Sequence, residues 1–198
     1  MSETKDKILI TALKLFAERG FEAVSVSDIA QCLSVTKGAL YRHYESKQAI
    51  FDSILALMEN DDLCRSRDFG VPEAPIFENE RTYADSSLEQ LVKFGEAQLR
   101  YWTAEEIPSN FRRMLTLEQY RGEKMSELYK QYFTAGPLEY VTDILQSHKI
   151  AEPRVQAIQF YAPMLLFYSL CDCAEDKQSV YDYAREHFES FCRKWKNA

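Results

Sequence analysis

Residues 36 to 47, "TKGALYRHYESK", concentrate the side chains best suited to meeting a charged ligand. Lys37 and Arg42 carry cations long enough to reach base edges or phosphates, and Tyr41 can offer its phenol to a phosphate. Gly38 has no side chain at all. Inside a helix it costs about 1 kcal/mol against alanine, so its presence suggests that something approaches the backbone closely there. Lys47 falls in the first turn of the next expected helix, where backbone N–H groups already favour an anion. The chemistry implied is recognition of a polyanion rather than the making or breaking of bonds. The plainer alternative is a solvated helix that happens to carry a few charges.

An acidic chain makes that cluster more informative. The 198 residues have a formal net charge of −7, yet residues 1–50 hold seven Lys or Arg against six Asp or Glu, a sum of +1. The remaining 148 residues hold 17 against 25 and carry all of the negative excess. Only the first segment can approach a polyanion without long-range repulsion.

Three short helices are expected to position the cluster. Leu9, Ala12, Leu13, Phe16 and Ala17 repeat at i, i+3, i+4, i+7, i+8, and Gly20 stands where such a helix stops. Ser25-Val26-Ser27-Asp28 has the form of a capping box, followed by Val26, Ile29, Ala30 and Leu33 at helical spacing. A brief turn at Ser34-Val35 leads to Thr36, a cap for a third helix, and Ser46 precedes a fourth through "KQAIFDSILALMEN". On the third helix Leu40 and Tyr44 share one face, with Thr36 close by, while Gly38, Tyr41 and Arg42 face away. Two short helices joined by a tight turn, packed on a third, are the arrangement of a helix-turn-helix.

Beyond residue 50 the chain reads as helical throughout. Residues 65–85, with two prolines, a glycine and many charges, predict a long loop. Helices are expected over roughly 86–104, 108–120, 122–148, 153–174 and 177–195, with breaks at Pro108, Gly122, Gly136-Pro137 and Pro153. No alternating-polarity run or internal repeat is present, so the fold class is all-α. The expected organisation is a helix-turn-helix DNA-binding domain over 1–50 and a larger helical domain over 51–198.

Several functions are disfavoured. The opening "MSETKDKILITALKLF" lacks the apolar run and cleavage site of a secretory signal, so a cytoplasmic protein is expected. Gln159, Pro163 and Asp172 interrupt "AIQFYAPMLLFYSLCDCA" before the ~20 residues that a membrane span needs. Five cysteines, odd in number and scattered, suggest reduced thiols; in Cys171-x-Cys173 the two side chains diverge by about 200° on a helix. No phosphate-cradling glycine loop, nucleophile elbow or H-E-x-x-H is found, so no enzyme, metal or cofactor is expected.

Residues 8–50 resemble the N-terminal domain of the tetracycline-repressor (TetR) family of bacterial transcription regulators. The resemblance rests on "ILITALKLFAERGFEAVSVSDIAQCLSVTKGALYRHYESKQAIF": Phe-Ala-x-x-Gly-aromatic, then Asp-Ile-Ala, then Val-Thr-Lys-Gly-x-Leu-Tyr-x-His and Ser-Lys. Two departures are visible, Ser34 where the family usually has glycine and Tyr44 where phenylalanine or valine is common. Carried over position by position, the resemblance implies that Lys37, Gly38, Ala39, Tyr41, Arg42 and His43 face the groove. It makes Ser25, Ser27, Thr36 and Lys47 backbone clamps. His43 has a second reading, as a packing residue at the edge of the core-facing side.

The resemblance also implies a homodimer joined through the last two helices, a double-stranded operator and a small-molecule effector, most simply as a repressor. The sequence supports the dimer separately, because Val155, Ile158, Ala162, Leu165 and Leu166 lie in a segment that is apolar on nearly every side. Val180, Ala184, His187, Phe188, Phe191 and Trp195 add a broad stripe on the final helix. Both stripes have an alternative place in a monomer's core.

For an effector the candidates are aromatic: Phe94, Tyr101, Trp102 and Phe111, with Met114 and Glu118, then Tyr120, Tyr129, Tyr132, Phe133, Tyr140, Tyr161 and Tyr168. Four tyrosines between 120 and 140 exceed what a dry core favours, because each hydroxyl needs a partner. With Glu118 and Asp143 near, a flat, apolar or cationic ligand is expected. Two other functions stay open at this point: a DNA-associated adaptor of the same fold without an effector, and an all-α ligand-binding protein with no DNA role.

Overall fold

The computed structural model describes residues 3–68 and 88–196. Among these the protein is all-α, with a helix-turn-helix at its N-terminal end and a larger helical remainder. The helices are α1 Glu3–Arg19, α2 Val26–Cys32, α3 Lys37–Tyr41, α4 Lys47–Asp68 and α5 Leu88–Ala104. They continue with α6 Glu106–Glu118, α7 Glu123–Phe133, α8 Ala135–Ser147, α9 Pro153–Cys173 and α10 Gln178–Lys196. No described helix is long and apolar enough to cross a membrane.

The chain divides into two compact units. The first comprises residues 1–62 and 106–129, the second 63–105 and 130–198. In the first unit α1 buries Ile8, Leu9, Ala12, Leu13 and Phe16 and packs against α6, which contributes Phe111, Met114 and Leu115. α2 packs on α1 and α3 on α2, with Ile29 and Leu40 inserted into the same core. In the second unit α5 packs on α9 and α10, and α8 lies along α9. Phe160 and Phe188 meet there with ring centroids 4.9 Å apart.

Three sequence expectations change. The loop expected from residue 65 begins later, because α4 continues to Asp68; residues 69–85 lie outside the described residues. The single helix expected over 122–148 is two, broken at Thr134, whose φ of −133° and ψ of −83° are not helical. The break falls two residues ahead of the Gly136-Pro137 pair that suggested it. Gly136 is required for space, since a Cβ there would lie 2.2 Å from the Gln131 carbonyl oxygen. Finally, the boundary expected at residue 50 lies inside α4, and α6 belongs with the helix-turn-helix.

A candidate nucleic-acid interface

α3 is only five residues long, so its neighbours must hold it. Thr36 caps it, accepting the Ala39 N–H at 3.1 Å, and Leu40, 1% exposed, anchors it in the core. α2 is held by the full capping box: the Ser25 hydroxyl accepts the Asp28 N–H at 3.2 Å, and the Asp28 carboxylate accepts the Ser25 N–H at 2.7 Å. The Ser25 side-chain bond, reinforced by its backbone N–H, holds the Asp28 carboxyl below its ordinary value of 3.8.

The turn between them is a Schellman closure. The Val35 N–H reaches the Ala30 carbonyl at 3.0 Å and the Ser34 N–H reaches Gln31 at 3.0 Å. That closure needs a left-handed residue, and Ser34 supplies it at φ 56°. A serine therefore performs a turn that glycine would make without strain.

The outward face of α3 is as the periodicity implied. Lys37, Gly38, Tyr41 and Arg42 are exposed, Ala39 and His43 half-buried, and Tyr44 buried. The Lys37 ammonium lies 5.8 Å from the centroid of Tyr41. Gly38 has no internal reason to be glycine: a Cβ there would meet only the Thr36 hydroxyl oxygen, at 3.9 Å. Tyr44 finds the hydroxyl partner it needs in Ser53, and burial pushes its phenol above the usual value. These placements bring six of the ten expected DNA residues onto one short helix and its C-terminal edge.

The other four are more constrained. The Ser25 hydroxyl already donates to Asp28 at 2.5 Å, whereas Ser27 is exposed and the Thr36 hydroxyl keeps its hydrogen to donate. Lys47 is half-buried; its ammonium donates to the Phe21 carbonyl at 2.6 Å and lies 4.2 Å from the centroid of the Phe21 ring. It secures the α1–α2 turn as well as supplying charge. Sequence reasoning did not find this second duty, nor the partner on the other side of Phe21: its N–H donates to the buried Glu118 carboxylate at 2.9 Å. Nothing in the local pattern around Glu118 signals a bond to a residue 97 positions away.

The expected effector residues are not gathered in one place. Phe111, Met114 and Glu118 are buried in the first unit, where Glu118 is occupied by Phe21 and Arg121. Tyr120 is 88% exposed, and Tyr129, whose phenol burial pushes up, also belongs to that unit. The second unit does assemble an aromatic cluster. Trp102 lies 4.7 Å from Tyr101 and 4.8 Å from Phe133 between ring centroids, with Tyr132 and Tyr168 beyond. Its indole N–H donates to Gln98 at 2.7 Å, and the Tyr161 hydroxyl donates to the Phe133 carbonyl at 3.3 Å.

A cation already rests on this cluster, the Arg65 guanidinium, 3.4 Å from the Tyr101 centroid. Phe94 and Tyr140 pair at 4.5 Å, one turn from Asp143, whose carboxyl is pushed up by burial and by Glu139. A groove of about 560 Å³ runs elsewhere in the unit, between α5 and α10, lined by Glu89, Lys93, Glu96, Arg185, Glu189 and Arg193. None of the expected effector residues lines it.

The expected interface residues also divide. Val155, Ile158, Ala162, Leu165 and Leu166 are exposed along one side of α9, as is Leu170 on the same helix; Tyr183 is exposed on α10. Val180, Ala184, Phe188 and Phe191 are instead buried in the unit's own core, with His187 and Trp195 half-buried. On α10 a broad apolar stripe therefore meant internal packing.

Residues 8–54 match the family described as bacterial regulatory proteins, tetR family. The biofilm-operon negative transcriptional regulator IcaR of Staphylococcus aureus is 40% identical over 48 residues, 24% of this chain and 26% of that protein. The chain aligns with only 17% to 27% of the lengths of the first curated relatives it matches. Over the whole fold, a TetR-family regulator from Bordetella parapertussis superposes with a TM-score of 0.65, at 18% identity and 95% coverage of both chains. A regulator from Saccharomonospora viridis, solved in complex with choline, does so with a TM-score of 0.63 at 23% identity, covering 98% of this chain and 97% of that one. The capped α2, the left-handed turn and the basic face of α3 all lie within the segment that matches the tetR family, and the helical fold as a whole resembles those of the two solved regulators.

Proposed function

We propose that the protein is a DNA-binding transcription regulator, a repressor that reads a near-palindromic operator as a homodimer. Gly38 carries this reading: an exposed glycine in a helix, with open space around it and cations on either side, has a use only if a partner's backbone comes close. Lys37, Tyr41 and Arg42 then address base edges and phosphates, with Ala39 and His43 at the margin. Ser27 and Thr36 hold the flanking phosphates, together with Lys47 and Ser25 where their internal bonds allow.

The exposed α9 surface is the candidate joint between two copies, and a near-palindrome requires their two α3 helices to lie about 34–36 Å apart, one turn of duplex. The repressor assignment is supported by the similarity of the N-terminal segment to IcaR, a negative transcriptional regulator. A small molecule bound in the second unit would favour the form that releases DNA, and by linkage DNA must weaken that ligand by the same factor. The aromatic cluster, the Arg65 cation on Tyr101 and the choline held by the Saccharomonospora regulator all favour an organic cation as effector.

Selection of bound duplexes from a random pool tests the reading. A recovered near-palindrome, bound with affinity that falls steeply as salt rises, is the expected result. A protein that recovers no sequence and shows no salt dependence overturns it.

A further inference from the structure

We propose that Glu118, at the end of α6, is a positioning residue for the DNA-reading helix, and that it acts by holding the Phe21 peptide at the α1–α2 turn. The inference rests on α3 being the element that reads DNA. α1 closes with a single bond, from the Gly20 N–H to the Phe16 carbonyl at 2.9 Å. In the longer closing motif the next N–H, that of Phe21, would also return to Phe16. Here it donates to Glu118 Oε1 at 2.9 Å instead.

The site is shaped for that carboxylate. Glu118 is 2% exposed, and Gly20, at φ +82°, leaves the space a side chain would take: a Cβ there would lie 2.7 Å from Oε1. On its other side the same residue is held by Lys47, 2.6 Å from the Phe21 carbonyl oxygen. The Phe21 ring is wedged between Phe16 and Phe51, with centroids 5.2 and 5.0 Å away. An acid on the N–H, a cation on the C=O and two rings on the side chain thus fix the residue from which the chain leaves for α2. α2 in turn carries α3.

Glu118 differs from the other two restraints in where its helix leads. One residue, Glu105, separates α6 from α5, and α5 contributes Trp102 and Tyr101 to the aromatic cluster. Glu118 therefore ties α6 to the α1–α2 turn through its bond to the Phe21 amide. Burial makes the link stiff, because an unpaired buried N–H or carboxylate is costly.

Operator affinity, melting temperature and Phe21 amide exchange are to be measured on the full chain for Glu118→Gln, Glu118→Ala, Gly20→Ala and the Gly20→Ala/Glu118→Ala double variant. Glu118→Gln keeps a carbonyl acceptor and is expected to stay within about threefold of the parent in affinity and exchange. Glu118→Ala should lose about tenfold in affinity and speed Phe21 exchange about tenfold. Gly20→Ala should weaken binding too, and the double variant should lose less than the two single losses combined. Unchanged Phe21 exchange in Glu118→Ala, a glutamine variant as damaged as the alanine one, or fully additive losses would each overturn the proposal.

If Glu118→Ala does not fold, Glu118→Gln and Gly20→Ala decide alone: the first must keep both signals and the second must lose both. If the parent protein binds no duplex, the DNA reading itself falls. Phe21 exchange, measured without DNA, still reports whether Glu118 holds the turn.

Discussion

The face of α3 and the cluster around Trp102 are both rich in residues that attract notice in a sequence, yet they differ in what explains them. In the cluster each ring has an internal reason to be there: Trp102 packs on Tyr101 and Phe133, donates to Gln98, and is 3% exposed. On α3 the side chains point outward, and Gly38 has open space around it. The same residue type makes the contrast in the second unit, where a Cβ on Gly95 would come within 2.7 Å of the Phe188 ring. One glycine is required by the fold and the other is not. A residue points to a partner only when the protein's own interior leaves it unexplained.

That distinction can be broken or sharpened by substitution. The largest effect is expected at Phe133, 1% exposed against Trp102 and Tyr168: Phe133→Ala should cost about 3–5 kcal/mol of stability, measured by denaturant unfolding, if the cluster is packing. A loss below about 1 kcal/mol would mean that the rings line an open cavity rather than a core. Gly38→Ala should do the reverse. Its methyl meets nothing closer than 3.9 Å within the protein, so melting should hold or rise while operator affinity falls about tenfold or more. Equal affinity would remove the reason to place DNA against that face.

The smallest effect concerns Asp143. Burial raises its carboxyl pKa in the folded state above the ordinary 3.8, so the folded form favours the neutral acid. Its contribution is therefore most favourable below the unfolded pKa and is lost as pH rises through the folded value. Asp143→Asn should raise the melting temperature at pH 7 and give a smaller gain at pH 3.5. A gain that does not shrink on acidification would show that the ionised group is not what burial penalises.

Much of this was legible in the sequence, for reasons that are themselves local. The capping box at Ser25, the stop at Gly20, the cap at Thr36 and the inward Leu40 all depend on neighbours within five residues, and the structure keeps each of them. Composition misled where depth decides the outcome. The stripe of Val180, Ala184, Phe188 and Phe191 satisfied the period of an interface and of a core equally well, and burial placed it in the core. Glu118 was grouped with aromatic neighbours in the chain, although its partner is the Phe21 amide across the fold. The continuation of α4 to Asp68 ran through charged residues whose helical propensity was outweighed, on reading, by the prolines that follow.

The brevity of α3 has a consequence for how such a protein can change. Its geometry is inherited from one cap and one buried leucine, while Lys37, Gly38, Tyr41 and Arg42 contribute little to holding the fold together. Those four letters can be rewritten independently of the frame that displays them. With α3 reading DNA as proposed, a lineage carrying this scaffold can drift toward new addresses on a chromosome while its folding remains as it was.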